Sequence, residues 1–341
     1  MTGPTINRLS AVVFAFVSFL LTGTAGAESI TLEAPVTCLG KNCWLSHYYD
    51  VDPDKERSRD YACGDTAGNG HTGTDFALRD QASMHEGDGG VVVAAAGGKV
   101  IRLRDGMDDV SVRVVGTDKV TGKECGNGIA IDHGDGWETE YCHLRKGSVA
   151  VKKGDTVKTG DKLGTIGLSG STEHLHMHFE VRKDGKQVDP FVGPAPPAID
   201  AACGLGAETL WSKAALAVML YKPLIVYNLG FSTAPPSLVD VRSGALHAQT
   251  FPNSAETMFT WAEIIGLVKG DSILFRVTFP DGKKREAKAA LTTVPPEYLP
   301  TLKTARPGDR WPSGRYVFEV AAIRPGKNGG VYTAREDISV P

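Results

Sequence analysis

Residues 129–141 read IAIDHGDGWETEY, with a short β-type run on each side of the turn His133–Gly136. Glycine and aspartate at such a turn favour a tight reversal of the chain, so the two runs are predicted to pair as antiparallel strands. From about residue 61 to 195 the chain continues in this way, with short β-type runs and two Gly-Asp turns, at Gly154-Asp155 and Gly160-Asp161. We therefore expect a domain of antiparallel β-sheets.

A second stretch, HLHMHFE at residues 174–180, alternates polar and apolar side chains. Neighbouring residues of a strand point to opposite faces, so the apolar residues would enter the core while the histidines and the glutamate share the other face. Three polar imidazoles on one face of a strand would contribute little to a hydrophobic core, but they can surround a metal ion. This pattern favours a metal site over a solvent-facing strand that contains histidines by chance.

Two further motifs carry side chains suited to metal chemistry. His71 and Asp75 are four residues apart in a glycine- and threonine-rich stretch that favours extended structure, in which both side chains share a face. His143 follows a β-type run that ends at Tyr141. A catalytic zinc commonly has three imidazole or carboxylate ligands and a fourth position open for water. The chain therefore has the residues of a metal-dependent hydrolase.

Four of the nine histidines carry no such signal. His133 lies in the hairpin turn and His247 stands alone near the C-terminal strands, so we expect both to be structural. His47 and His85 lie in no motif and are given no role.

The ordered set of motifs resembles the lysostaphin-type (LytM-like) zinc metallopeptidases, which are largely cell-wall endopeptidases. The resemblance rests on His71-x-x-x-Asp75, on Gly126–Gly134 with Tyr141–Leu144, and on Gly167–Gly170 followed by a His-x-His-Phe-Glu ending. It covers residues 61–195 and implies an antiparallel β-sheet peptidase domain, which we class as a barrel-sandwich hybrid type. The implied cofactor is Zn²⁺, and the implied partners are the peptides of peptidoglycan.

The resemblance also implies roles for single residues. His71 and Asp75 match the first two zinc ligands, and the second histidine of the His-x-His pair matches the third. His143 and the first histidine of that pair match two catalytic histidines that do not bind the metal.

The three alternating histidines leave two registers for that pair. His174/His176 is one, and His176/His178 is the other. We choose the second because Phe179-Glu180-Val181 follows His178 directly, as in the family. His178 is then the third ligand and His176 a catalytic residue, while His174 is expected to contact substrate near the mouth of the cleft.

These roles predict an exported zinc peptidase that hydrolyses amide bonds in the cross-link peptides of peptidoglycan. One alternative is a catalytically silent domain that binds the wall or activates an amidase. Another keeps the chemistry but moves the cleaved bond to the sugar–peptide amide. The net charge of −3 does not suggest nucleic acid or an anionic membrane as a partner. The oligomeric state is left open.

Residues 1–27 have the features of a signal peptide: Arg8, the apolar run Ala11–Leu21, and Ala25-Gly26-Ala27 as a cleavage site. We therefore expect a periplasmic or extracellular protein with no membrane span in the mature chain.

An even number of cysteines in an exported chain favours disulfides over free thiols. The six are Cys38, Cys43, Cys63, Cys125, Cys142 and Cys203. We prefer Cys125–Cys142 because these two flank the predicted hairpin, then Cys43–Cys63 by proximity, which leaves Cys38–Cys203. A zinc–thiolate cluster is disfavoured because the sequence has no Cys-x-x-Cys pair.

The rest of the chain divides by composition. Residues 28–60 are predicted to be irregular, and residues 196–222 to be a linker with a helix at Glu208–Tyr221. About seven β-type runs in residues 223–341 predict an immunoglobulin-like β-sandwich that serves as an accessory domain. The expected fold class is therefore mainly β, with a lysostaphin-like peptidase domain followed by this sandwich.

Overall fold

The structure is a computed structural model that describes residues 1–2, 29–87, 89–194, 203–248, 250–295, 298–326 and 329–341. All but the first two residues of the predicted signal peptide lie outside the described residues. Among the described residues, no helix combines the length and the apolar character needed to cross a membrane.

The first part of the chain forms a large antiparallel sheet and a small two-stranded one. The ten strands are β1 (Cys43–His47), β2 (Thr74–Leu78), β3 (Val91–Val93), β4 (Gly98–Arg104), β5 (Asn127–Gly134), β6 (Trp137–Leu144), β7 (Thr156–Val157), β8 (Lys162–Thr165), β9 (His176–Lys183) and β10 (Lys186–Gln187). The large sheet has the order β1-β2-β9-β6-β5-β4-β7, with β10 paired to β9, while β3 pairs with β8.

The predicted hairpin is present, because β5 pairs with β6 across the turn at Asp135-Gly136. The predicted alternation of residues 174–180 is present from His176 onward. Met177 and Phe179 are fully buried in the core with Tyr141 of β6 and Phe76 of β2. The opposite face of β2, β6 and β9 is therefore the one that carries histidine and carboxylate side chains.

Within the part of the chain that the structure describes, the helices are few and short. They are α1 (Val112–Val115), α2 (Lys213–Val218) and α3 (Leu238–Ser243), with 3₁₀ turns at Ala82–His85 and Thr117–Lys119. The helix predicted at Glu208–Tyr221 is thus limited to α2. It begins where the Ser212 side chain accepts a hydrogen bond from the Ala215 amide, as a helix cap does.

The C-terminal part forms two antiparallel sheets. Their seven strands are β11 (Ile225–Ser232), β12 (Thr257–Ile265), β13 (Ser272–Thr278), β14 (Lys284–Ala290), β15 (Thr301–Ala305), β16 (Gly314–Arg324) and β17 (Gly330–Val340). One sheet has the order β11-β12-β15 and the other β14-β13-β16-β17. Side chains from both, among them Phe231 and Phe318, share one hydrophobic core. The mainly β fold class is confirmed, and the immunoglobulin-like topology stays a prediction.

Two expectations about the connecting segments need correction. Residues 28–60 were expected to be irregular, but they contain β1, which pairs with β2 along its length. The predicted linker also packs against the first part of the chain, because Trp211 and Met219 are buried in its core. Apolar side chains in both segments complete that core, which the strands of residues 61–195 leave open at its edge.

The disulfides are Cys125–Cys142, as expected, Cys38–Cys43 and Cys63–Cys203. The expected Cys43–Cys63 and Cys38–Cys203 pairs are therefore wrong. A turn at Gly40, whose φ is +74°, reverses the chain so that the Cys43 amide meets the Cys38 carbonyl. Proximity in sequence was a poor guide for Cys63, whose partner is 140 residues away.

Candidate metal centre

Strand register brings the key side chains to one place. β2 pairs with β9 so that Asp75 lies opposite His178, and residues directly opposite in an antiparallel pair share a face of the sheet. His176, two residues earlier on β9, lies on that same face. His71 precedes β2, and its amide donates to the carbonyl of Gly68 in a turn. The polar face predicted from the alternation is therefore built by two neighbouring strands and one turn.

The donor atoms of His71, Asp75 and His178 lie within 4.8 Å of one another. Oδ1 of Asp75 is 3.1 Å from Nε2 of His71 and 2.9 Å from Nδ1 of His178, and those two ring nitrogens are 3.2 Å apart. Nδ1 of His71 is 2.7 Å from the carbonyl oxygen of Tyr48, so it carries the proton and leaves Nε2 as an electron-pair donor. Two imidazole nitrogens and a carboxylate oxygen converging at this distance fit a zinc-type cation.

The pKa values of Asp75 and His178 depend on their charged and ionisable neighbours. Burial alone would raise the pKa of the Asp75 carboxyl, but the surrounding histidines, led by His176 and His71, hold it well below its usual range. Burial would likewise lower the pKa of His178, yet its hydrogen bond to Asp75 and the nearby Glu180 carboxylate raise it to about 9. Oε2 of Glu180 is 3.9 Å from Nε2 of His178, on the ring side away from Asp75. Asp75 is thus an anion that attracts positive charge.

His143 and His176 stand beside this set with their rings 4.8 Å apart, centroid to centroid. Nδ1 of His143 is 2.8 Å from the carbonyl oxygen of Ser169, and Nδ1 of His176 is 3.0 Å from that of His174. Each Nδ1 therefore carries a proton that it donates to a carbonyl, and each Nε2 is an acceptor in the neutral ring. Nε2 of His176 is 3.6 Å from Oδ1 of Asp75.

Burial, reinforced for His143 by the neighbouring His176 and His178, lowers the pKa of both rings, and that of His143 lies well below its usual value. His143 also has a φ of +60°, uncommon for a residue other than glycine, and its amide donates to the Cys125 carbonyl at 2.7 Å. The disulfide between Cys125 and Cys142 ties the same two segments. Two neutral proton acceptors are therefore fixed next to the candidate metal site.

His174 precedes β9, and its ring stacks on that of His176 at 4.5 Å between centroids. It lines a cleft of about 530 Å³ that also contains the metal-site side chains and the acidic residues Glu124, Glu140, Glu173 and Glu180. Contact with substrate stays a prediction for His174, as do the ligand and catalytic roles of the other residues.

Of the histidines that received no catalytic role, His133 bonds to the Gly97 carbonyl and the Thr139 hydroxyl, and His247 pairs with buried Asp80 at 2.7 Å. His47 is different. β1 pairs with β2 so that His47 lies opposite Asp75, and its Nδ1 is 3.6 Å from Oδ2 of that carboxylate. Sequence reasoning missed this residue because no motif surrounds it; only the pairing of β1 reveals its position.

The comparisons with known proteins identify the family of the segment that contains these residues. Residues 69–190 match the family described as "Peptidase family M23". The chain contains an M23 peptidase domain. This confirms the resemblance drawn from the motifs, since the lysostaphin-type peptidases are that family.

Two relatives show how far the similarity extends. This chain is 44% identical over 71 residues to the "Cell division protein DipM" of Caulobacter vibrioides, which is 19% of this chain and 11% of that protein. It is 32% identical over 128 residues to the "Peptidoglycan DD-endopeptidase ShyB" of Vibrio cholerae, which is 38% of this chain and 24% of that protein. The chain thus spans only a small part of the length of these relatives.

Among solved structures, a zinc-containing peptidase from Vibrio cholerae matches with 23% identity and a TM-score of 0.28. The match covers 48% of this chain and 39% of that one. The assignment to the family rests on the sequence match of the M23 domain, and the structural match adds nothing to it.

Proposed function

We propose that this protein is an exported zinc-dependent endopeptidase that hydrolyses amide bonds in the cross-link peptides of peptidoglycan. The observation that supports this most is the convergence of the His71, Asp75 and His178 donors within 4.8 Å. Three protein ligands of this kind leave a position for water, as catalytic zinc sites require. The printed name of the Vibrio cholerae relative, a peptidoglycan DD-endopeptidase, points to the same substrate class.

Zinc bound by these residues would act as a Lewis acid, polarising the amide carbonyl and lowering the pKa of water so that hydroxide is available near neutral pH. The chain's own residues then have to move protons. Nε2 of His143 and of His176 is unprotonated in the neutral ring, because Nδ1 of each donates to a main-chain carbonyl. One ring accepts the proton of the attacking water.

Once protonated, the same Nε2–H is a donor. It can stabilise the negative charge that develops on the carbonyl oxygen, or return the proton to the leaving amine. Glu180 would orient the His178 ring from behind, as carboxylates commonly do for metal-bound histidines. The lowered pKa of His143 and His176 keeps both rings neutral near pH 7, which the proton-accepting step requires.

Export is supported by two features. The first 27 residues have signal-peptide composition, and all six cysteines are paired in disulfides. Disulfides are typical of oxidising compartments, which in bacteria lie outside the cytoplasm. Peptidoglycan is found in the same place.

The test is digestion of purified peptidoglycan sacculi, read by mass spectrometry of the released fragments. The wild-type protein should release peptides cut within the cross-link, lose this activity in a chelator, and regain it with Zn²⁺. His178→Ala should bind no zinc and release nothing. The matched control is His85→Ala, which changes an exposed histidine at the end of a 3₁₀ turn and should leave cleavage intact.

Three outcomes would contradict the proposal in different ways. Cleavage by metal-free protein would reject the mechanism. Zinc binding without any fragment release would favour the silent wall-binding or amidase-activating domain. Release of whole peptides from the sugar would move the cleaved bond to the sugar–peptide amide.

A further inference from the structure

The segment that precedes the matched M23 residues reaches the candidate metal centre. β1 ends at His47, outside residues 69–190, and it forms the edge of the large sheet next to β2. The Cys38–Cys43 disulfide closes the turn that leads into β1, and so fixes the start of this strand. An edge strand anchored in this way can place a side chain reproducibly against its neighbour.

A β-bulge determines which side chain of β1 faces the carboxylate. Leu45 lies opposite Phe76, and the next pair along the ladder is His47 with Asp75, so Ser46 is the extra residue. In a regular ladder Ser46 would have stood opposite Asp75. Bulges redirect side chains in this manner and are frequent beside functional sites.

The two oxygens of the Asp75 carboxylate have different surroundings. Oδ1 faces the nitrogens of His71 and His178 at 3.1 and 2.9 Å, and that of His176 at 3.6 Å. Oδ2 faces Nδ1 of His47 at 3.6 Å. One oxygen is thus directed at the metal-binding nitrogens, and the other is directed away from them, toward β1.

The facing nitrogen of His47 is available for this contact. It is buried, and it has no hydrogen-bond partner among the described residues. Its separation from Oδ2 exceeds a hydrogen bond by only a few tenths of an ångström, which a small side-chain rotation closes. His47 does not belong to the group of donor atoms within 4.8 Å, so it is placed behind the carboxylate instead of among the ligands.

We propose that His47 is a positioning residue for the metal site: its Nδ1–H donates to Oδ2 of Asp75 and thereby holds Oδ1 toward the cation. This inference rests on the proposed zinc function. Partners that orient a ligating carboxylate or histidine commonly change metal affinity by about 10–100-fold. The N-terminal segment supports the centre at a second point as well, because the carbonyl of the adjacent Tyr48 accepts from Nδ1 of His71.

The test uses two substitutions of His47 that separate the effect of its hydrogen-bond donor from the effect of its aromatic ring. His47→Phe keeps an aromatic ring but removes the donor, whereas His47→Asn places an amide N–H close to the position of Nδ1. His85→Phe is the control for replacing a histidine by phenylalanine elsewhere. Zinc affinity is measured on each purified full chain by competition with a chromophoric chelator, and thermal unfolding of the metal-free proteins reports folding separately.

We expect His47→Phe to weaken zinc binding about 10–100-fold, in line with other outer partners of metal ligands. His47→Asn should bind zinc nearly as well as the wild type, and His85→Phe should be unchanged. The inference is overturned if His47→Phe binds zinc as tightly as the wild type, or if His47→Asn is as weak as His47→Phe, because the donor would then not matter.

The wild-type measurements separate this inference from the proposed function. If the wild type binds zinc but cleaves no peptidoglycan, the proposed function fails while the role of His47 is still decided by the two variants. If the wild type binds no zinc, both fail together. If it binds and cleaves but the variants match it in affinity, only the role of His47 is rejected.

Discussion

Two buried carboxylates of the C-terminal sheets have a different kind of partner from Asp75 of the M23 domain. In the C-terminal part, Asp271 is 1% exposed and accepts hydrogen bonds from Arg324 at 2.8 and 3.0 Å. Glu263 is paired in the same way with Arg242 at 2.7 Å. In the M23 domain, Asp75 is 4% exposed and its charged or ionisable partners among the described residues are all histidines.

This contrast distinguishes a buried carboxylate that stabilises the fold from a buried carboxylate that can take part in a metal site. A buried carboxylate beside an arginine is neutralised by a permanent cation, so the pair is complete in itself. A carboxylate among imidazoles is not, because those rings are neutral electron-pair donors unless protonated. A metal site likewise consists of electron-pair donors that no arginine or lysine neutralises. Changes near Asp75 should therefore affect catalysis, and changes near Asp271 should affect folding.

The largest expected effect is on catalysis in the M23 domain. His143→Asn removes the ring that we propose to transfer protons, and asparagine tolerates the positive φ at this position better than most residues. We expect kcat on a cross-link peptide to fall by about 10²–10⁴-fold, the usual contribution of a positioned acid–base group. Zinc content, measured by atomic absorption, should not change.

The same substitution at His133 is the matched control. That residue lies in the same sheet, but it bonds to Gly97 and Thr139 and does not line the cleft. His133→Asn should keep kcat within a few-fold of the wild type. A zinc-loaded His143→Asn protein with a wild-type rate would show that His143 transfers no proton in the reaction.

The second expected effect is on folding of the C-terminal sheets. Arg324→Met leaves Asp271 buried without its cation, and breaking a buried pair in this way costs about 3–5 kcal/mol. Chemical denaturation measures the loss in the free energy of unfolding. Cleavage by the protein that stays folded should be unaffected, because neither residue of this pair lines the cleft.

Arg315→Met provides the comparison on the same strand. Arg315 of β16 pairs with Asp337 at 2.8 Å, but both side chains are exposed, at 60% and 42%. Solvent screens such a pair, so its loss should lower the free energy of unfolding far less than the loss of Arg324 does. Equal costs for the two arginine variants would remove the distinction between buried and exposed pairing.

The sequence was most informative where one local pattern determines the structure. The turn between Ile131 and Trp137 specified its hairpin, and the alternation of His176–Glu180 placed imidazoles on one face and apolar residues in the core. Both depend only on the period of a strand and on turn chemistry. The resemblance to the lysostaphin-type peptidases identified His71, Asp75 and His178 as a set, and their donor atoms do converge.

The sequence was least informative where long-range pairing decides. β1 is short and lies in a segment without strong alternation, so its pairing to β2 depends on packing that no local pattern encodes. The position of His47 follows from that pairing and from a bulge. The partner of Cys63 is likewise set by tertiary structure, which brings residue 203 next to residue 63. Disulfide connectivity cannot be read from spacing alone.

The smallest expected effect tests whether every buried carboxylate without a cation is functional. Asp189 is 5% exposed and its Oδ1 accepts from the Phe191 amide, whereas its Oδ2 has no hydrogen-bond partner among the described residues. Burial raises the pKa of this carboxyl from 3.8 to about 7. Because the folded-state pKa is raised, the native state binds the proton more tightly than the unfolded state does. Stability should therefore fall as pH rises from about 4 to about 7, and then level off.

Asp189→Asn keeps the acceptor and removes the titration. Thermal unfolding at pH 5 and pH 8 should show a smaller loss of stability for the variant than for the wild type, by on the order of 1 kcal/mol. Any fixed cost of burying the amide cancels, because each protein is compared with itself. Activity should be unchanged, since Asp189 does not line the cleft. An identical pH dependence in both proteins would mean that Asp189 does not titrate between these values, and a loss of cleavage would mean that burial without a cation marks function here as well as at Asp75.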